Sequence, residues 1–165
     1  MTGISETLKD LHDGERDLEQ DLLAAADRHR ADHGFHHVAV DVARWSHEHT
    51  RRLAEAGRDH GLDLSGPAAH PASGALASLR DRAAEALGRR TEPGGPTLLR
   101  DLRGLHLAAA RNSLYWEMLA QAAQAARDEQ LLELTSSCHP QTLRQMRWTN
   151  TMLKELSPQL LLEAR

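Results

Sequence analysis

Residues 4–30 read ISETLKDLHDGERDLEQDLLAAADRHR, and this stretch decides the fold. Ile4, Leu8, Leu11, Glu15, Leu18, Leu22 and Ala25 recur at alternating intervals of four and three, the spacing of an inward seam on a bundled helix. The rhythm predicts a helix from about Ile4 to Arg30 with Glu15 pointing inward. A carboxylate in such a seam has to meet a metal, a cation or a hydrogen-bond donor, because an unpaired buried charge is strongly unfavourable. Thr2 or Ser5 can cap this helix, Gly14 permits a close approach beside Glu15, and Gly34 reads as its left-handed stop.

The same rhythm recurs three more times. A second helix is predicted over about Phe35 to His60, with Phe35, Val38, Val42, Trp45, His49, Leu53 and Ala56 inward and Gly61 closing it. A third is predicted from about Thr97 to Arg127, with Leu98, Leu102, Leu105, Ala109, Asn112, Trp116, Leu119, Ala123 and Ala126 inward. A fourth is predicted from about Glu129 to Leu156, kinked or restarted at Pro140, which cannot donate to Ser136. The tail after Pro158, Gln159 to Arg165, reads as a short helical turn or a frayed end. Leu62 to Thr97 is a Gly/Pro-rich connector in which Ala75 to Gly88 reads as a short helix capped by Ser73, its apolar stripe formed by Leu76, Leu79, Ala83 and Leu87.

Each long helix is roughly 40 Å in length at about 1.5 Å per residue, and the connector is long enough to span it. Two short links and one long one therefore give an all-α four-helix bundle in up-down-down-up order. The 165 residues suit a single domain, 1–165, with the crossover at 62–97 and the tail at 158–165. No alternating run of strand length interrupts the pattern.

Composition narrows the chemistry. Hydrophobic residues make up 40%, charged residues 27% and aromatics only 3%, a helix-favouring balance. The net charge of -4 offers no general attraction for nucleic acid or an anionic membrane, so neither is an expected partner. Charge is nonetheless uneven: seven acids against two bases lie between Glu6 and Asp21, and seven arginines against four acids between Arg80 and Arg111. Both runs read as solvated faces. Cys138 is the only cysteine, which excludes an intrachain disulfide and suits a reducing, cytoplasmic setting. The N-terminus is too charged for a signal peptide, and no apolar run reaches the roughly 20 residues that a membrane span requires.

Eleven histidines raise the question of metal. His29, His33 and His37 are spaced by four, but a helix ending at Gly34 would separate His33 from His37. His47 and His49 lie about 200° apart around a helix and cannot share an ion without distortion. A di-metal bundle site draws on Glu-x-x-His pairs from two helices, and no Glu in this chain has His three residues later. Cys138 and His139 diverge by about 100° on a helix, so they do not form a nucleophile-base pair. Trp45, Trp116 and Trp148 read as core.

Leu11-His12-Asp13-Gly14-Glu15, Trp45-Ser46-His47-Glu48-His49, Asp128-Glu129 and Arg144-Gln145-Met146-Arg147-Trp148 together resemble a ferritin-like domain of the small bacterial DUF892 type and related actinobacterial ferritin-like proteins. The resemblance covers the chain apart from its tail. It implies that Glu15 matches the first-helix metal ligand and His49 the histidine of the second-helix Glu-x-x-His, with Ser46 in place of that motif's glutamate. The Arg111-Asn112 region corresponds to the third-helix glutamate, and Gln141 to Gln145 to the fourth-helix motif. With two of six ligand positions kept, the expected protein is a non-catalytic ferritin-like bundle with no cofactor. It would act through a homodimer or a protein partner. Its buried polar network would consist of Glu15, His49, Arg111, Asn112, Arg144 and Gln145, an arginine balancing Glu15 where the metal would have been. The alternative is an iron, manganese or zinc protein with a redox or stress role, its ion on Glu15, His49, His47 and Glu48. A further alternative is a DinB-like thiol transferase, although the His-x-x-x-His pair of that fold is missing: Leu143 stands four residues after His139.

Overall fold

A computed structural model describes residues 3–67 and 94–163. The expected short helix at Ala75–Gly88, its Ser73 cap and the Thr2 cap lie outside them. Four long helices pack together, and there is no strand among the described residues. They are α1 (Gly3–Arg28), α2 (His33–Asp59), α3 (Gly95–Ala126) and α4 (Glu129–Glu163). The all-α four-helix class expected from the seams is therefore present. No described helix is long and apolar enough to cross a membrane.

The links follow local chemistry. The α1–α2 turn differs from expectation: α1 stops at Arg28, and Asp32 caps α2, its Oδ1 accepting from Phe35 N at 3.0 Å. Gly34 lies inside the first turn of α2 rather than ending α1, because the Asp32 side chain satisfies an orphan amide of the helix start. Gly61, at φ 74°, ends the second helix as expected. Arg127 takes the left-handed conformation at φ 55° between α3 and α4, and Asp128 Oδ1 then accepts from Leu131 N at 2.9 Å to start α4.

Pro140 and Pro158 both lie within α4, which runs without a restart to Glu163. The expected restart at Ser136–Pro140 is replaced by one 35-residue helix, and the tail, expected as a short helical turn or a frayed end, continues that helix to Glu163. Packing explains the continuity: Cys138, Thr142 and Gln145 are all buried around Pro140, so tertiary contacts outweigh the single lost backbone bond.

Among the described residues the core has two apolar clusters. One gathers Leu18, Leu22, Phe35, Ala39, Leu98, Leu102 and Leu105, with Trp148 stacked on Phe35 at 5.5 Å. The other gathers Leu8, Leu11, Leu53, Trp116, Leu119, Leu131 and Leu134. On every helix the residues between these clusters include buried polar ones: Glu15 on α1, Ser46 and His49 on α2, Asn112 on α3, Thr142 and Gln145 on α4. The expected inward face of α1 holds from Leu8 through Ala25, with Ile4 half-buried, and that of α3 from Leu98 through Ala123, with Ala126 exposed. On α2 the expected Phe35, Val42, His49 and Leu53 are buried, Trp45 and Ala56 are half-buried and Val38 is exposed, while the buried face widens towards Ala39, Ala43, Ser46, Thr50 and Ala54.

Candidate functional site: a buried polar layer

Glu15 and His49 have fully buried side chains, with His49 Nδ1 3.2 Å from Glu15 Oε1. The approach lacks hydrogen-bond alignment, so it is a close contact rather than a directed bond. On its other edge His49 Nε2 donates to Gln141 Oε1 at 2.8 Å. An amide oxygen only accepts, so this bond fixes a proton on Nε2 and sets the ring's orientation. Trp116 Nε1 donates to Glu15 Oε1 at 2.9 Å, and Thr142 Oγ1 approaches the same oxygen at 3.4 Å. The His49 and Trp116 rings meet edge to face at 5.5 Å. All four helices therefore converge on one carboxylate oxygen or on its histidine partner.

A second cluster adjoins it. Gln145 Nε2 donates to Val42 O at 3.0 Å and to Ser46 Oγ at 2.9 Å. Thr50 Oγ1 closes back on Ser46 O at 2.8 Å. Asn112 faces α1, where a Cβ on Gly14 would overlap its Oδ1. The close approach expected beside Glu15 is thus made by the Asn112 amide, whose side-chain nitrogen and oxygen are buried without a hydrogen-bond partner.

Arg111 and Arg144 do not join this layer. Both are exposed, because each lies one residue, about 100° of helix rotation, from the inward Asn112 or Gln145. Trp116, Gln141 and Thr142 occupy the place expected of an arginine, as neutral donors and an acceptor. Trp116 reads as core from its spacing alone, and nothing in the sequence separates a core indole from a carboxylate donor. Thr142 has a legible signal: Thr135, Thr142 and Thr149, all buried, recur every seven residues along α4.

His47 and Glu48 also turn away from the pair. His47 Nδ1 lies 3.0 Å from Glu19 Oε1, and Glu48 is held by Arg51 at 2.6 Å. Among the described residues no group of three or more His, Cys, Asp or Glu is placed to hold a metal ion. The donor set around Glu15 consists of one carboxylate, one imidazole, amides and hydroxyls, and an indole N–H already occupies the carboxylate oxygen. This set does not fit a di-metal centre, which draws on several bridging carboxylates.

Outside the layer, pairs of side chains lock helix to helix. His29 Nε2 and Arg28 Nε contact Asp101 Oδ2 at 2.7 and 3.0 Å, tying α1 to α3. Burial pushes the Asp101 carboxyl up, but the hydrogen bonds from Arg28 and His29 outweigh it and hold the group below its ordinary value. His12, buried and unremarked in the sequence, bonds the Ser65 carbonyl through Nε2 and lies 3.1 Å from Asp13 through Nδ1. Arg16 reaches Ser65 Oγ at 2.7 Å, so the segment after α2 is held against α1. His139 Nε2 meets Ser113 Oγ at 2.8 Å and so points away from Cys138. Desolvation raises the Cys138 thiol to about 12, which leaves it protonated and unreactive at neutral pH.

No protein-family model, no curated protein and no solved structure matches the chain.

Proposed function

We propose that this chain is a ferritin-like bundle in up-down-down-up order whose metal site has become a structural polar layer, and that it works by self-association rather than catalysis. The order is supported by contact registers. Glu15 with Trp116 and His29 with Asp101 run in opposite senses along α1 and α3, and Glu15 with His49 and Ser5 with His60 do so along α1 and α2. Helices α2 and α3 then lie parallel across the long connector. Glu15 and His49 are inaccessible to a substrate and are engaged from every helix, which suits a role in fixing register.

The observation that carries the association reading is a stripe on the solvent side of α3. Leu107, Leu114 and Met118 are 63%, 62% and 54% exposed, and with Arg111 between them they follow the four-three spacing of a packing seam. The register that pairs Ser113 with His139 and His106 with Thr149 places Leu143 of α4, 45% exposed, level with the middle of this stripe. A seam of this spacing accepts another helix, and a second copy of α3 supplies one. Light scattering on Leu107→Glu/Leu114→Glu tests the reading: the wild type should associate and the variant should remain a single chain with unchanged helicity. Association that persists in the variant would end it.

A further inference from the structure

The start of α2 places His33 and His37 one turn apart on a single helix. Both side chains are exposed, and their rings lie nearly parallel, 18° between planes and 6.3 Å between centroids. Neither ring makes a hydrogen bond or ion pair with another described residue, and the His37 ring also meets the His36 ring edge to face at 5.3 Å. Their neighbour His36 differs: its Nδ1 is bonded to Ala26 O at 2.7 Å.

We propose that His33 and His37 form a surface chelate for one divalent transition-metal ion, its remaining positions held by water. Two imidazoles at an interval of four on one helical face can close on a single ion, the geometry by which paired helical histidines hold zinc. Imidazole selects copper, nickel and zinc over magnesium and calcium, and the affinity order places copper first. Two features set the strength. The first turn of α2 carries no acidic residue, the Asp32 carboxylate just before His33 being engaged as the N-cap on Phe35 N, and the positive end of the helix dipole opposes a cation there. The site therefore depends on its two nitrogens and discriminates by ligand softness rather than by charge. It lies at the α1–α2 corner, apart from the Glu15 layer in the middle of the bundle, and it stands whether or not the chain self-associates.

The test uses untagged full-length protein titrated with Cu2+ alone by calorimetry, with His33→Ala, His37→Ala and His36→Ala as variants. The wild type should bind one Cu2+, either terminal variant should weaken binding by about tenfold or more, and His36→Ala should bind as the wild type does. Copper should also broaden the amide resonances of residues 32–38 selectively in the wild type. Wild-type affinity in His33→Ala or His37→Ala, absence of saturable binding, or broadening centred elsewhere in the chain would overturn the proposal.

Discussion

Replacing Gly14 by Ala sets two effects of opposite sign against each other. In a helix interior the change is worth about 1 kcal/mol in favour of Ala, through backbone entropy and propensity. Here the added methyl would overlap Asn112 Oδ1, with Asn112 Cγ only 3.3 Å away. The amide is buried between α1 and α3, and forcing it aside belongs to the class of overpacking changes that cost about 1–3 kcal/mol. The net expectation is a loss of about 1 kcal/mol in the wild type. In an Asn112→Ala background the obstacle is gone, and Gly14→Ala should stabilise by about 1 kcal/mol. The coupling is then about 2 kcal/mol, within the range for residues in direct contact. Urea denaturation followed by helical circular dichroism on the four proteins of this cycle measures it. A Gly14→Ala effect of the same sign and size in both backgrounds would refute the packing argument.

Further expectations follow from the same contacts. Glu15→Leu and His49→Leu should each cost about 3–5 kcal/mol by stranding a buried partner, whereas the double substitution should recover most of that loss; additive losses in chemical denaturation would contradict the pairing. Arg127→Gly should stabilise by about 0.5–1 kcal/mol, because only glycine takes the left-handed φ of 55° without steric cost, and a lower melting temperature would count against it. Asp101 has a lowered native carboxyl value, so its contribution is complete above its ordinary value of 3.8 and fades as pH falls through the native one. The stability gap between wild type and Asp101→Asn, measured by urea titration across pH, should therefore close in acid; a gap that widens there would refute the link.

Much of the fold was legible because seam spacing is a backbone-level signal. Leu8, Leu11, Leu18 and Leu22 fall where their rhythm places them, as do Leu98, Leu102, Leu105 and Leu119. Helix ends were less legible because they depend on which of two local devices prevails. Gly34 looks like a stop, yet Asp32 three residues before Phe35 supplies the cap that starts α2 before Gly34. Pro140 looks like a break, yet burial on both sides carries α4 through it. The candidate site was half legible. Glu15, His49 and Asn112 were placed by their own seams and Gln145 by the resemblance, but their partners depend on how the helices face one another. A one-residue displacement separates buried Asn112 from exposed Arg111, and the same step separates Gln145 from Arg144. The indole N–H of Trp116 carries no sequence mark at all.

The interface proposed between copies of this chain lies on the outer face of α3. Sedimentation equilibrium of the untagged wild type over a wide concentration range tests it most directly, with Leu114→Glu run alongside. The wild-type mass should rise with concentration above the 18.3 kDa of one chain, and the Leu114→Glu protein should stay at that mass. A wild type fixed at the single-chain mass throughout, or a Leu114→Glu protein that associates equally well, would contradict it.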